Sequence, residues 1–276
     1  MKQQITLVIL AIILSAFSTN NKPPTHLDKM ELKGNIESIR KIVNVIKPTS
    51  GNILISSTLS AFNTTGMLRE IIELKNHKLF SKKVFSYSAE DELMGYTDYN
   101  SDGSVYLEVI CSNNEKGHIT SEHYNRTSQK LYDEDRQRVD VEYEKIYKNL
   151  FTEVIYKSDF KGYTLEEKYL RADGSLSHKY TYKYDYKYKL LELKYFNSEG
   201  KSVKRIKYRY NKNGQVEESK TYISNRLALT STFSYEYDSF NNWIRKYEER
   251  QVVENIFTEG ISKDNILTKR IIKYNR

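Results

Sequence analysis

Asp98, Asn100 and Asp102, followed by Gly103, alternate as the opening ligands of an EF-hand calcium loop do. Calcium needs several oxygens converging on one point, and this spacing supplies three. Val109 stands where that loop places its bidentate carboxylate, with Glu108 one residue early. His118, Glu122 and His123 approach an inverted zincin motif but carry one residue too many between the first His and the Glu. In a strand the two histidines would point to opposite faces. The pairs Glu166-Glu167 and Glu248-Glu249 are split between faces in the same way, so neither is a facing glycosidase pair, although carboxylates from different strands could make one. The lone Cys111 permits no internal disulfide and no Cys-based zinc site, and its setting in Val109-Ile110-Cys111 reads as strand. The chain carries no nucleophile elbow, P-loop or dinucleotide fingerprint. The expectation is a non-catalytic protein without cofactor or metal.

A binding chemistry is easier to read. Tyr180, Tyr182, Tyr184, Tyr186, Tyr188 and Tyr195 are interleaved with lysines, and Tyr208 and Tyr210 follow in the same style. Aromatic faces beside cations can stack on sugar rings or hold acidic chains. The same residues can instead form cross-strand ladders that stabilise a thin sheet. Both readings stand at this point.

The elements that must position these residues announce themselves by a repeat. Phe62-Asn63-Thr64-Thr65-Gly66-Met67-Leu68 reads aromatic, Asn, two loose residues, Gly, one loose residue, apolar. Tyr99 to Val105 and Tyr210 to Val216 repeat it, and Tyr237 to Trp243 does so with Asn241 in place of Gly. Leu170 to Leu176, Tyr184 to Leu190 and Phe196 to Val203 are degenerate copies. Asn or Asp can accept backbone N–H groups through its side chain, and Gly or Asn tolerates positive φ, so each unit reads as a hairpin turn. Turns centred on Gly174, Tyr188, Gly200 and Gly214 leave strands of roughly 8 residues, about 26 Å long. Between turns the chain alternates. Tyr180, Tyr182 and Tyr184 oppose Lys179, Thr181 and Lys183; Ile206, Tyr208 and Tyr210 oppose Arg205, Lys207 and Arg209; Val139, Val141 and Tyr143 oppose Asp140, Glu142 and Glu144. Period two with one polar face predicts antiparallel strands with one side in water. The expected fold is all-β, an extended antiparallel meander or β-solenoid spanning 30–276 as one repetitive domain.

Ahead of it, Lys2 and the apolar run from Ile5 to Leu14, ending in Ala16-Phe17-Ser18, have the three parts of a secretory signal peptide. The expected cut follows Ser18, and 19–29, with Pro23-Pro24, is a linker. No Cys follows the apolar run, so an exported protein without lipid anchor is expected, in the periplasm, on the surface or outside. The chain has 276 residues, 38% hydrophobic, with 24 Tyr and a net charge of +8. Basic and acidic residues alternate, which disfavours nucleic acid as a partner.

The recurring aromatic-[Asp/Asn]-x-x-Gly-x-apolar unit resembles the YD repeats of Rhs-type surface proteins and MORN-like hairpin repeats. Leu32-x-Gly34-x-Ile36-x-Ser38, Tyr237-Asp238-x-x-Asn241-Asn242-Trp243 and Arg270-x-Ile272-x-Tyr274 are similar to small exported members of that group in Gram-negative bacteria. The resemblance implies an extracytoplasmic repeat that binds carbohydrate or protein, and it supplies no catalytic residues. Three functions follow as expectations. The first is a module presenting a Tyr/Lys-rich face to a glycan, envelope polymer or partner protein. The second is an envelope glycan hydrolase with carboxylates gathered on one sheet face. The third is an assembly or chaperone-like partner that pairs through its sheet edges, Arg270 to Tyr274 being one.

Overall fold

The computed structural model describes residues 27, 30, 32–47, 51–75, 77–126, 151–253 and 265–275. The expected signal peptide, nearly all of the linker and the alternation at Val139 to Glu144 lie outside these residues. The described residues form sixteen strands in chain order. They are β1 Ile36–Lys47, β2 Gly51–Phe62, β3 Leu68–Lys75, β4 Lys78–Tyr87, β5 Leu93–Asn100, β6 Val105–Asn113, β7 Ile119–Arg126 and β8 Phe151–Ser158. The series continues with β9 Thr164–Arg171, β10 Leu176–Tyr184, β11 Leu190–Phe196, β12 Ser202–Tyr210, β13 Val216–Ile223, β14 Arg226–Tyr237, β15 Trp243–Val252 and β16 Asn265–Tyr274.

Every strand pairs antiparallel with its sequence neighbours, as the repeat predicts. The open meander or solenoid is nevertheless corrected. β1 and β16 pair from Ile36 opposite Tyr274 to Ile46 opposite Asn265, and the sheet is a closed barrel. A twisted sheet of this width can consume its two edges by pairing them, which removes the exposed N–H and C=O rows an open sheet would leave. The Arg270–Tyr274 edge expected to recruit a partner is therefore occupied by β1.

The predicted turn is real, and its hydrogen bonds explain its sequence. In 185–189, Asp185 N donates to Lys189 O and Tyr188 N to Asp185 O. The Asp185 carboxylate also accepts the N–H groups of Lys187 and Lys189. The same backbone pair of bonds recurs in 63–67, 88–92, 100–104, 114–118, 159–163, 171–175, 197–201, 211–215 and 238–242. The fourth residue has positive φ, as in Gly200 at 75° and Tyr188 at 62°. All turns following even strands from β2 to β14 are of this kind, so one end of the barrel, the even rim, is built from a single motif. The odd rim mixes it with tighter connections, such as Ser224-Asn225.

Around the even rim, tyrosines at or near the strand ends reach back one hairpin. The hydroxyls of Tyr87, Tyr184, Tyr210 and Tyr235 donate to the carbonyls of Leu68, Thr164, Leu190 and Val216, at 2.7, 3.0, 2.8 and 2.8 Å. Each acceptor opens a strand whose pairing register shifts just after the turn, so the tyrosine satisfies a carbonyl there. At this same end Ile36, Ile39, Phe62, Leu68 and Ile71 form a buried apolar cluster, packed on by Leu27, Met30, Leu32, Phe85, Ile272 and Tyr274. Each side chain so withdrawn from water contributes on the order of 2 kcal/mol.

Candidate functional site

Closure gives the two strand faces different fates, and burial identifies the inward one. Along β6, Leu107, Val109 and Cys111 are buried while Glu108, Ile110 and Ser112 are exposed. Carried through the pairing registers, the inward set includes Glu122 and Tyr124 on β7, Val154 and Tyr156 on β8, and Glu167 and Tyr169 on β9. It continues with His178, Tyr180, Tyr182 and Tyr184 on β10, Leu193 and Tyr195 on β11, and Tyr208 and Tyr210 on β12. Six of the tyrosines singled out from the sequence thus line the interior. Tyr188 sits on the even rim, stacked on Tyr163 with centroids 3.9 Å apart, and Tyr186 is exposed on the same turn. Their lysine neighbours Lys179 and Lys183 point outward, so the Tyr/Lys-rich face is split: the tyrosines face the interior and the lysines the solvent.

The inward face carries a continuous aromatic ribbon. Tyr124 meets Phe151 at 5.0 Å between centroids, Phe151 meets Tyr169 at 4.8 Å, and Tyr169 stacks on His178 at 4.2 Å. His178 meets Tyr180 edge-on at 5.6 Å, and Tyr180 meets Tyr195 at 5.2 Å. Tyr180 and Tyr195 are half-buried, as are Phe233 and Ile206 on the same face. An interior that was a solid core would bury them; sixteen-stranded sheets are wide enough to leave a lumen.

Beneath the ribbon lie two carboxyls. Glu122 is 2% exposed and Glu167 3%. The Tyr124 hydroxyl donates to Glu122 at 2.6 Å and the Tyr169 hydroxyl to Glu167 at 2.9 Å, while Tyr156 and Tyr182 hydrogen-bond to the same two groups. Burial raises both carboxyls above their ordinary range, Glu167 to about 7, with the nearby Glu122 charge adding to the effect. Burial lowers His178 to about 4, so the imidazole in the ribbon is neutral at physiological pH, and it raises Tyr208 to about 12. Cys111 lies 4.0 Å from Glu122, and burial pushes its thiol up, away from thiolate chemistry. The sequence splits Glu166 from Glu167 correctly: Glu166 lies outside, between Lys168 and Lys179. It gives no sign that Glu122 and Glu167, two strands apart, share the inward face, because that depends on the register across β8.

Of the calcium-loop residues, Asn100 and Asp102 meet at the Ser104 hydroxyl, to which the Asn100 side chain donates at 2.9 Å, and Asp98 is engaged elsewhere. Asp98 points inward to Lys83 at 3.1 Å, and the Asp102 carboxylate accepts from the N–H and hydroxyl of Ser104. Among the described residues no group of three or more His, Cys, Asp or Glu could hold a metal ion. His118 lies in the even rim against Gly162, and His123 points outward 3.6 Å from Glu153.

Half-way round the barrel the inward face is basic. Lys41 stands opposite Arg270, Lys246 opposite Thr268, and Arg270 lies 3.4 Å over the Trp243 ring. Arg250 donates to Glu248 at 2.6 Å. In the strand order β9 is diametrically opposite β1, and β7 opposite β15. The interior therefore has an acidic, tyrosine-capped wall and a basic wall.

The barrel is similar to a porin-like protein from Bacteroides uniformis, with a TM-score of 0.54 and 11% identity over 86% of this chain and 96% of that one. A porin-like protein from Bacteroides vulgatus aligns over 88% and 99% with a TM-score of 0.46 and 9% identity. A LolA superfamily protein from Nitrosomonas europaea aligns over 90% of each chain with a TM-score of 0.25 and 10% identity. At these identities the first likeness is one of fold, and the other two are too distant to add to it. No protein-family model matches the sequence, and no curated protein is similar enough to it to count as a match. The likeness to YD and MORN-like repeats is overturned: the shared unit is a local turn, and the sheet it serves closes into a barrel.

Proposed function

We propose that this is an exported, non-catalytic barrel that holds a ligand inside, with a sugar-bearing envelope molecule as the preferred class. The half-buried aromatic ribbon on the inward face carries the reading. Rings of Tyr180 and Tyr195 that project into a wide interior without being sealed there can stack on a ligand ring. The residues 1–18 support export, and they make the envelope the place to seek the ligand. Glu122 and Glu167 serve as the polar floor of the ribbon, since tyrosine hydroxyls already occupy their oxygens.

The outward face argues for a barrel in water rather than one spanning a bilayer. Lys82 pairs with Glu70, Lys179 and Lys168 with Glu166, Lys220 with Glu218, and Arg245 with Glu236, all on that face. Each Lys or Arg facing lipid near the midplane would cost about 2–4 kcal/mol.

The test is a titration of the protein with fragments of envelope glycan, followed by calorimetry. Replacing Tyr180 and Tyr195 together by Ala should weaken binding by about tenfold or more. Unchanged affinity in that double variant, or failure of every fragment to bind, removes the reading. Terminal sequencing of the exported protein should find Thr19 first.

A further inference from the structure

The two inward walls differ in the sign of the charge they gather. Each buried carboxyl of the acidic wall is met by tyrosine hydroxyls. On the basic wall, Lys41 and Arg270 are direct cross-strand partners on a concave face, so two positive charges stand side by side. Lys246 is brought to the same patch by β15, because its cross-strand partner Thr268 lies two residues from Arg270 on β16. Among the described residues the carboxylates facing this patch are Glu73, which accepts from the Ser81 hydroxyl at 3.2 Å, and Glu248. Glu248 is already engaged by Arg250 at 2.6 Å and by the Ser231 hydroxyl at 2.9 Å. Thr58 opposite Lys41 and Thr268 opposite Lys246 add hydroxyl donors around the cations. Burial, with the Arg270 charge, lowers the ordinary pKa of both lysines, as expected where positive charge is in excess.

We infer that the β1–β16–β15 wall is a subsite for an oxyanion, a phosphate, sulfate or carboxylate group of the ligand held in the barrel. Lys41, Lys246 and Arg270 supply the charge, and Thr58 and Thr268 the flanking hydroxyls. The inference rests on the interior-binding reading above and specifies its chemistry: the ligand is anionic at one side and ring-shaped at the other. Arg270 keeps its seat on Trp243, so an anion arriving there changes the surroundings of the chain's single tryptophan.

Trp243 fluorescence and thermal melting of the whole protein read this directly. The probes are inorganic phosphate, sulfate, glucuronate and a neutral oligosaccharide, each compared with sodium chloride at equal ionic strength. Phosphate or glucuronate should shift Trp243 emission and raise the melting temperature by several degrees, and chloride should do neither. Lys246→Gln should melt higher than wild type without anion, because a like charge is gone, and should bind anion at least tenfold more weakly. Lys41→Gln should behave the same way. A chloride response equal to that of phosphate, or glutamine variants that bind as tightly as wild type, overturns the subsite. Neutral sugar binding that depends on Tyr180, without any anion response, overturns the subsite and leaves the interior-binding reading standing; silence from every probe overturns both. Response to free phosphate but not glucuronate supports the subsite as one for the smaller anion.

Discussion

The two rims of the barrel use the same turn and put it to different uses. At the odd rim, Gly103, Gly174 and Gly200 face open space: nothing lies within 4 Å of where a Cβ would stand. At the even rim the turns lean on one another. Glu92 lies against Gly117, the His118 ring against Gly162 and Lys189 against Gly214, while Tyr163 stacks on Tyr188. The series ends where Asn242 locks onto the chain at Lys33. Asn242 is 1% exposed; it accepts from Lys33 N–H at 2.8 Å and donates to Lys33 O at 2.8 Å and to the Tyr274 hydroxyl at 2.9 Å. A motif whose backbone bonds are all local can thus be either a free connection or a link in a ring. Which one it becomes depends on what the neighbouring hairpin places beside its fourth residue.

The sharpest way to break the even rim is Asn242→Ala, which leaves the Lys33 N–H and C=O without their side-chain partner and takes one of two hydrogen bonds from the Tyr274 hydroxyl, the other going to Asp238. A loss of about 3 kcal/mol in urea unfolding is expected, with faster amide exchange along β1 and β16 than along β10 and β11. Gly162→Ala comes next, at about 2 kcal/mol, because a Cβ there would stand 2.6 Å from the His118 ring in addition to the positive-φ strain. Gly200→Ala at the odd rim meets only the backbone strain and should cost about 1 kcal/mol. Equal losses at 162 and 200 would show that the rims do not differ as described. Tyr184→Phe, which removes the hydroxyl bond to Thr164 O, should cost roughly 0.5–1 kcal/mol.

The smallest effect belongs to neither rim but to the buried belt between them. Glu167 titrates at about 7 in the folded protein against an ordinary 4.5, so it favours the folded state at low pH and loses that contribution as pH rises from 4.5 through 7. Glu167→Gln should flatten the stability profile across that window. Asn242→Ala and Gly200→Ala should shift the whole profile without changing its slope, which equilibrium unfolding at stepped pH will show.

Much of the local structure is legible in the residues. Asp185 and Asn197 are where a side-chain oxygen must accept two N–H groups, Gly200 is where φ turns positive, and Tyr180, Tyr182 and Tyr184 keep to one face. The tyrosines ahead of Asp185 and Asn211 were also visible, and their return one hairpin after the start of a strand was the available signal for the hydroxyl tethers. The eventual partners of those hydroxyls were not, because Thr164 and Leu190 are reached across a sheet register rather than along the chain.

The sequence by itself determined that this protein would be antiparallel β, where many of its turns would fall, and which side chains would share a face, because those outcomes depend on hydrogen bonds and sterics within about five residues and on the two-residue period of a strand. Only the tertiary structure decided that Ile36 would meet Tyr274, and so that the sheet would close. Alternation distinguishes two faces but carries no information on which becomes concave. Once closure had put the tyrosine face inside, Glu122 and Glu167 became a buried acidic wall, and Lys41, brought opposite Arg270 by the closing ladder, part of a basic one. Those juxtapositions depend on twist and register accumulated over sixteen strands, and no short stretch of sequence contains them.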